Sequence, residues 1–454
     1  MGSGLILASI GTVGIDILEA PPAPSAAPAV ASPGVPALSP SLLDDQSRRS
    51  SAADVLLTPL SSPHPPLPAA DAHGPAYASG TIGGGALYAL IGARMWIEPG
   101  QLRTLIDAAP RATAIAAAVS SAQPNGSAPA PAPAEPEAED FPQPLEAHLS
   151  QYGRDMWAYN RQPGLRAVSA YLWYDGDGKR NYTPIVSPTV RTAAQIVQSP
   201  LFGAEYLHVS PPYAPSHLRD LLDSLAAETA WRPKVVFEPH PEIINPGERE
   251  ALEAIAHRLH VLSPNHEELL KFYGIATPER GEPTVAAVES VVEHLLDVGV
   301  GEDGGGIIVV RCGSQGACVA TRAGGTRWIP AYLDTCPQRV KDVTGAGNAF
   351  IGGFVAGLHY TSDAYEAGLY ATVSASFVVE QRGLPSYTPS PALAPLPSAP
   401  LGAPSPISPL IAHDESFFAV ANGRAKPDPS VPDMWNDEAP QSRLAKLRAR
   451  VAWA

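Results

Sequence analysis

Cysteine is scarce: the chain has only Cys312, Cys318 and Cys336. An odd number at irregular spacing gives neither a disulfide framework nor a zinc-ligand set. It fits a reducing compartment, so the expected location is cytoplasmic. Long apolar runs are also missing. No stretch reaches the roughly 18 residues of a membrane span, and no membrane association is expected. Met1 to Leu18 is apolar, yet it lacks a basic leading region and Asp16 interrupts it, so it does not read as a signal peptide. Ile6 stands where a myristoylation signal needs Ser or Thr. Runs of Lys and Arg are absent and the formal charge is −15. That balance excludes the clustered cations that grip nucleic-acid phosphates, so no nucleic-acid partner is expected.

What the chain has in excess is proline, 51 residues, concentrated in a few stretches. Residues 20–75 are rich in Pro, Ala and Ser. A second such stretch covers 120–140, and a third runs from Thr388 to Pro409. Such compositions bury too little apolar surface to offset chain entropy, and the expectation is disordered insertions. Pro63 to Pro68 has polyproline spacing but no close Lys or Arg, and reads as passive linker. Roughly 330–350 residues remain, enough for one large α/β domain.

Within that remainder, Leu5 to Leu18 reads as a buried strand broken at Gly11 and Gly14. Gly83-Gly84-Gly85 leads into a small-residue helix. Met156 to Pro184 alternates, with Asp175-Gly176-Asp177-Gly178 as its turn, which is hairpin grammar. Strands are then predicted at Glu205–Ser210, Lys234–Glu238, Val261–Ser263 and Ile307–Arg311. Helices are predicted at Ser216–Ala230, Glu248–Leu259, Asn265–Phe272 and Val285–Leu296. This alternation implies a mostly parallel sheet covered on both faces. Ser442–Val451 reads as a short basic helix.

The strongest chemical signal is Lys341-Asp342-Val343-Thr344-Gly345-Ala346-Gly347-Asn348-Ala349-Phe350, with Gly352 and Gly353 following. Gly345 and Gly347 let backbone amides turn inward at the start of an apolar helix, where free N–H groups and the macrodipole suit a phosphoryl group. Gly-Ala-Gly alone would read as an ordinary turn behind an N-cap Thr344. Asp342, Thr344, Phe350 and Gly353 at their spacings favour a phosphate site. Asn265 and Glu268, one turn apart, read on their own as an N-cap and its capping-box partner. Asp16 reads equally as a ligand group or a turn former. His240, between prolines at a strand end, reads as a loop histidine beside the crevice.

Together these motifs resemble the PfkB/ribokinase family of carbohydrate kinases, whose second signature is Asp-Thr-x-Gly-Ala-Gly-Asp followed by Phe and Gly. Glu238-Pro239-His240-Pro241, Glu380-Gln381-Arg382-Gly383-Leu384-Pro385 and Trp435-Asn436-Asp437 are similar to its fungal maintenance-of-killer branch. The resemblance implies a three-layer α/β/α fold with a mostly parallel central sheet and a small β-lid at Met156–Pro184. It places the domain at 1–19 and 76–387, with a Pro-rich linker at 388–412 and a tail at 413–454. It also implies ATP-dependent phosphorylation of a sugar or nucleoside hydroxyl, Mg2+, a monovalent cation, and a homodimer formed through the lid.

By that resemblance Gly345, Ala346 and Gly347 form an anion hole, with Asp342 and Thr344 shaping the nucleotide-side turn. Asp16 (with Gly11) and Gly83, Gly84 and Gly85 hold the substrate. Gly313 and Gly316 face the nucleotide. Asn265 and Glu268 serve phosphate and magnesium, Glu268 indirectly. Three departures stand out. Asn348 replaces the catalytic Asp, and an amide cannot take a proton; losing a general base costs about 10²–10⁴ in rate. Leu87 and Tyr88 replace the polar residues expected after the glycines. Arg311 stands near a usual Thr. An active but weakened kinase and a ligand-binding pseudokinase both remain open on these residues.

Overall fold

The computed structural model describes residues 4–18, 81–111, 140–174, 180–239, 246–275, 285–390 and 432–452. Nearly all of the three Pro-rich stretches, the Asp175–Gly178 turn and His240 lie outside the described residues. The strands are β1 (Leu7–Ser9), β2 (Gly14–Leu18), β3 (Thr81–Gly83), β4 (Leu102–Asp107), β5 (Trp157–Asn160), β6 (Val168–Tyr174), β7 (Arg180–Val186), β8 (Tyr206–Val209), β9 (Lys234–Phe237), β10 (Val261–Leu262), β11 (Ile307–Arg311), β12 (Ala317–Thr321), β13 (Gly325–Ile329), β14 (Tyr387–Thr388) and β15 (Met434–Trp435). The helices are α1 (Gly85–Arg94), α2 (Gln143–Gly153), α3 (Ala193–Val197), α4 (Pro215–Glu228), α5 (Pro246–Ile255), α6 (His266–Phe272), α7 (Val285–Val298), α8 (Ala346–Thr361), α9 (Ala364–Val378) and α10 (Pro440–Ala452).

Nine strands form one sheet in the order β13-β12-β11-β10-β9-β8-β1-β4-β5. Every neighbouring pair from β11 to β5 is parallel, and β12 and β13 add an antiparallel edge. The strands carry apolar residues on both faces, as a sheet covered on both sides requires. In β11, Ile307 and Val309 join one core cluster with residues of α1, α8 and α9, while Ile308 and Val310 join a second with residues of α4 to α7. In α4, Leu218, Leu221, Leu222 and Leu225 are the buried face. Helices α8 and α9 are buried through most of their length; α8 packs between α1 and α9, and α9 also packs on β12 and β13. The result is the expected three-layer α/β/α architecture.

A separate four-stranded sheet, β3-β2-β6-β7, forms the lid. It differs from the sequence reading in its membership. Trp157–Asn160, expected in the lid hairpin, pairs with β4 and closes one edge of the main sheet. Alternation alone says that a segment is a half-buried strand, not which sheet receives it. The lid instead recruits β2 and β3 from the start of the chain.

The C-terminal basic helix packs. Strand β15 pairs with β14, and Leu444 and Leu447 of α10 enter the same core cluster as Phe377 and Trp435. Among the described residues, no helix is long and apolar enough to cross a membrane.

Candidate active site

The parallel strands end facing the lid. Between them lies a cavity of about 1120 Å³, at the carboxyl edge of the sheet where ligands enter open α/β folds. The start of α8 forms its floor. Thr344 N donates to Asp342 Oδ1 (2.9 Å), and the Lys341 and Asp342 amides both donate to Val379 O (2.7 and 3.3 Å), which ties the turn to the end of α9. Gly345 has φ +80°, and its open face receives the Tyr88 ring: a Cβ there would come within 2.3 Å of Tyr88 Cγ. Thr344, Gly345, Ala346, Gly347 and Asn348 all line the cavity. Asp342 does not; it builds the turn behind the wall. The expected anion hole also loses one donor, because Ala346 N donates to Val343 O (3.2 Å). Helix geometry leaves the Gly347 and Asn348 N–H groups without intrahelical partners.

The start of α1 meets the same floor. Thr12 caps it, taking Ala86 N on its carbonyl (2.9 Å) and Gly85 N on its hydroxyl (3.2 Å). The three glycines are needed for three reasons. A Cβ at Gly83 would strike Asp16 Oδ2 at 2.3 Å, so this glycine makes room for the carboxylate. Gly84 has φ +112°. Gly85 brings α1 close enough that a Cβ would sit 3.2 Å from Asn348 Nδ2. On the opposite wall, Gly313 and Gly316 line the cavity on a tight turn closed by Cys312 N donating to Gly316 O (2.7 Å).

A chain of side-chain bonds crosses the site. Asn348 Nδ2 donates to Glu238 Oε2 (2.7 Å), and Arg311 Nη1 donates to Glu238 Oε1 (2.7 Å). Arg311 Nη2 reaches Ser263 O (3.0 Å) and Glu268 Oε2 (3.3 Å). Asn265 donates to both oxygens of Glu268, from its backbone N (2.7 Å) and its Nδ2 (2.8 Å), while Asn265 Oδ1 accepts from Glu268 N (2.8 Å). The capping box read from the sequence is therefore present. Behind Glu238, His208 lies between Glu238 Oε2 (3.1 Å) and Ser9 Oγ (2.9 Å).

Burial works to raise the pKa of Glu238. Arg311, His208 and Asn348 overcome it and hold the group below the usual carboxylate range. Glu268 is buried too, with Arg311 as a weaker counterweight, and its carboxyl is pushed up to about 7.

The cavity suits a nucleotide and an acceptor in size. It also holds buried hydroxyls with no protein partner, Ser169 Oγ on the lid and Thr372 Oγ1 on α9. The donor set does not suit a divalent ion as it stands. Glu238 and Glu268 both have their carboxylate oxygens in hydrogen bonds, and Arg311 lies between them. Among the described residues, no group of three or more His, Cys, Asp or Glu side chains could hold a metal ion.

Sequence reasoning missed the role of Glu238, quoted only as a branch mark, and of Thr12 and His208. Arg311 was visible as a departure, but its partners were not. Their common signal is position at a strand's carboxyl end, which becomes informative once strand order is known.

An uncharacterized protein of Schizosaccharomyces pombe (C16C9.01c) is 27% identical over 324 residues, covering 68% of this chain and 80% of that one. Protein MAK32 of Saccharomyces cerevisiae is 28% identical over 179 residues, 38% of this chain and 48% of that one. A ribokinase of Giardia lamblia shares the fold at 14% identity with a TM-score of 0.52, covering 84% of this chain and 94% of that one. Residues 143–391, more than half of the sequence, match the pfkB family of carbohydrate kinases, and the chain belongs to that family.

Proposed function

We propose that this protein is a nucleotide-dependent phosphotransferase acting on a hydroxyl of a small molecule, a sugar or a nucleoside. The observation that carries the reading is one cavity joining Asp16 and Gly83–Gly85 on the lid side to the start of α8 and to Gly313 and Gly316. Asp16 would hold acceptor hydroxyls. The Gly345 and Gly347 amides would receive the transferring phosphoryl, and Gly313 and Gly316 would face the donor nucleotide. In the step itself the acceptor oxygen bonds to the terminal phosphorus, the bond to the donor oxygen breaks, and the hydroxyl proton passes to solvent water. Such transfers depend chiefly on positioning and electrostatics. Asn348 offers positioning only. Its Nδ2 is committed to Glu238, which leaves Oδ1 to accept from the substrate hydroxyl without taking its proton.

The test is thermal stability of the purified full chain with ATP and ADP, followed by phosphate transfer across a panel of sugars and nucleosides. No nucleotide-dependent shift and no transfer to any acceptor would end this reading. A ligand-binding pseudokinase is favoured by one observation, the amide of Asn348 where a base is needed.

The variant Asn348→Asp separates the two with an added pH signature. It places a second carboxylate at hydrogen-bond distance from Glu238, and two such groups cannot both ionise at ordinary pH, so one pKa rises sharply. The expected outcome is little gain at neutral pH and a gain that grows as pH rises and the pair loses its shared proton. Asn348→Asp combined with Glu238→Gln should gain about 10²-fold in turnover already at neutral pH. Turnover in the double variant alone identifies the native chain as a pseudokinase. Native turnover unchanged by either variant removes position 348 from the chemistry.

A further inference from the structure

Arg311 ends β11 at the cavity wall and turns back along the floor. A Cβ on Gly347 would lie 2.3 Å from Arg311 Nη1. The guanidinium therefore rests against the first turn of α8, and Gly347 is required for that contact. Two sources of positive potential meet here, the side chain and the amino end of a helix. They repel one another unless negative charge lies between or beside them. Glu238 and Glu268, which also line the cavity, supply part of it. Arg311 lines the cavity, and its Nε is buried with no hydrogen-bond partner. The corner thus sets the Arg311 guanidinium beside the Gly347 and Asn348 amides, next to the two carboxylates that the guanidinium already pairs with. A ligand that satisfies it must bring acceptors and negative charge, as phosphoryl oxygens do. The same guanidinium stands between the two carboxylates that a divalent ion would use.

We propose that Arg311 is the resident cation of the phosphoryl corner, holding the terminal phosphates of the donor in a position that a divalent ion would otherwise occupy. The proposal rests on the nucleotide-dependent reading of the site. It deepens that reading by making anion capture independent of added metal.

The probes are ATP and inorganic pyrophosphate, each titrated against the full chain in EDTA and in magnesium, with thermal shift and calorimetry as readouts. The native protein should bind both in EDTA, with affinity falling as salt rises. Arg311→Gln should weaken pyrophosphate binding in EDTA at least tenfold, and Arg311→Lys should weaken it less because charge is kept while the planar fork is lost. Removing Arg311 alone leaves two buried carboxylates without their cation and endangers folding. The double variant Glu238→Gln, Arg311→Gln removes opposite charges together and must show the same loss while its circular dichroism stays native.

Native binding that appears only with magnesium overturns the proposal and leaves the kinase reading standing. So does pyrophosphate binding by the double variant at native strength. Pyrophosphate binding in EDTA without binding of any nucleotide supports the corner and removes the kinase reading. Absence of binding to either probe in both buffers overturns both.

Discussion

Replacing Arg443 by alanine is expected to cost about 3–5 kcal/mol of folding stability, the range for removing one partner of a buried ion pair. Arg443 is 1% exposed, although it lies in a helix whose sequence reads as basic and solvated. Its Nη2 donates to Glu380 Oε2 (2.7 Å), its Nε to Glu438 Oε2 (2.8 Å) and its Nη1 to Ser376 Oγ (2.9 Å). The guanidinium also stacks on Phe377, 3.7 Å from the ring centre. Alanine would remove all four contacts and leave Glu380, among the described residues, with the half-exposed Arg339 as its cation. Urea denaturation checks this through the midpoint and its slope. A loss under 1 kcal/mol would mean that α10 is a dispensable appendage.

The same helix bears on the site. Arg450 donates to Ala331 O (2.8 Å), Tyr332 O (3.0 Å) and Asp334 Oδ1 (2.9 Å), and these three residues line the cavity. Helix α9, which receives Arg443, also receives the Lys341 and Asp342 amides at Val379 O. The C-terminal segment thus braces both the cavity wall and the Asp342–Asn348 turn. Arg443→Ala should therefore weaken nucleotide binding before it unfolds the chain.

The elements that were legible in the sequence owe their form to neighbours in sequence. The Asp342–Asn348 turn is built by a bond between residues two apart, and the Asn265–Glu268 box by residues three apart. Strand–helix alternation was enough to give the covered parallel sheet. What stayed hidden depends on elements that meet only after folding. Arg311 finds Glu238 across 73 positions because β9, β10 and β11 are consecutive neighbours in the sheet. Thr12 caps α1 from the same separation, across an intervening stretch that composition reads only as an insertion. Residues 157–160 alternate like a lid strand, and only pairing with β4 assigns them to the main sheet. Arg443 belongs to a helix with basic residues all along it, and nothing local distinguishes the one buried cation from the exposed ones.

Gly352→Ala is the second change with a large expected effect, a loss of about 3 kcal/mol or more, at or above the usual upper range for overpacking. A Cβ at Gly352 would lie 1.8 Å from Ala89 O and 2.7 Å from Ala93 N, both backbone atoms of α1 that no rotamer change can move aside. The contact is reciprocal, since a Cβ at Gly92 would lie 2.0 Å from Ala349 O. Helices α1 and α8 thus touch backbone to backbone, and relief requires their axes to separate. Gly353 and Gly357 oppose that movement from the other side, where added Cβ atoms would meet Ser374 Oγ at 2.4 Å and the Ala367 Cα at 2.5 Å. Helix α8 is therefore wedged between α1 and α9, and moving it off one drives it into the other. Both α1 and α8 begin at the cavity floor, so separating them pulls Gly85 from Asn348 and spreads the amides that would receive a phosphoryl group. Gly100→Ala is the control, because a Cβ there meets nothing within 4 Å. Chemical denaturation of the two variants should differ by most of the predicted loss, and any Gly352→Ala protein that remains folded should bind pyrophosphate more weakly than Gly100→Ala. Equal stabilities would mean that the two helices sit farther apart than their glycines allow.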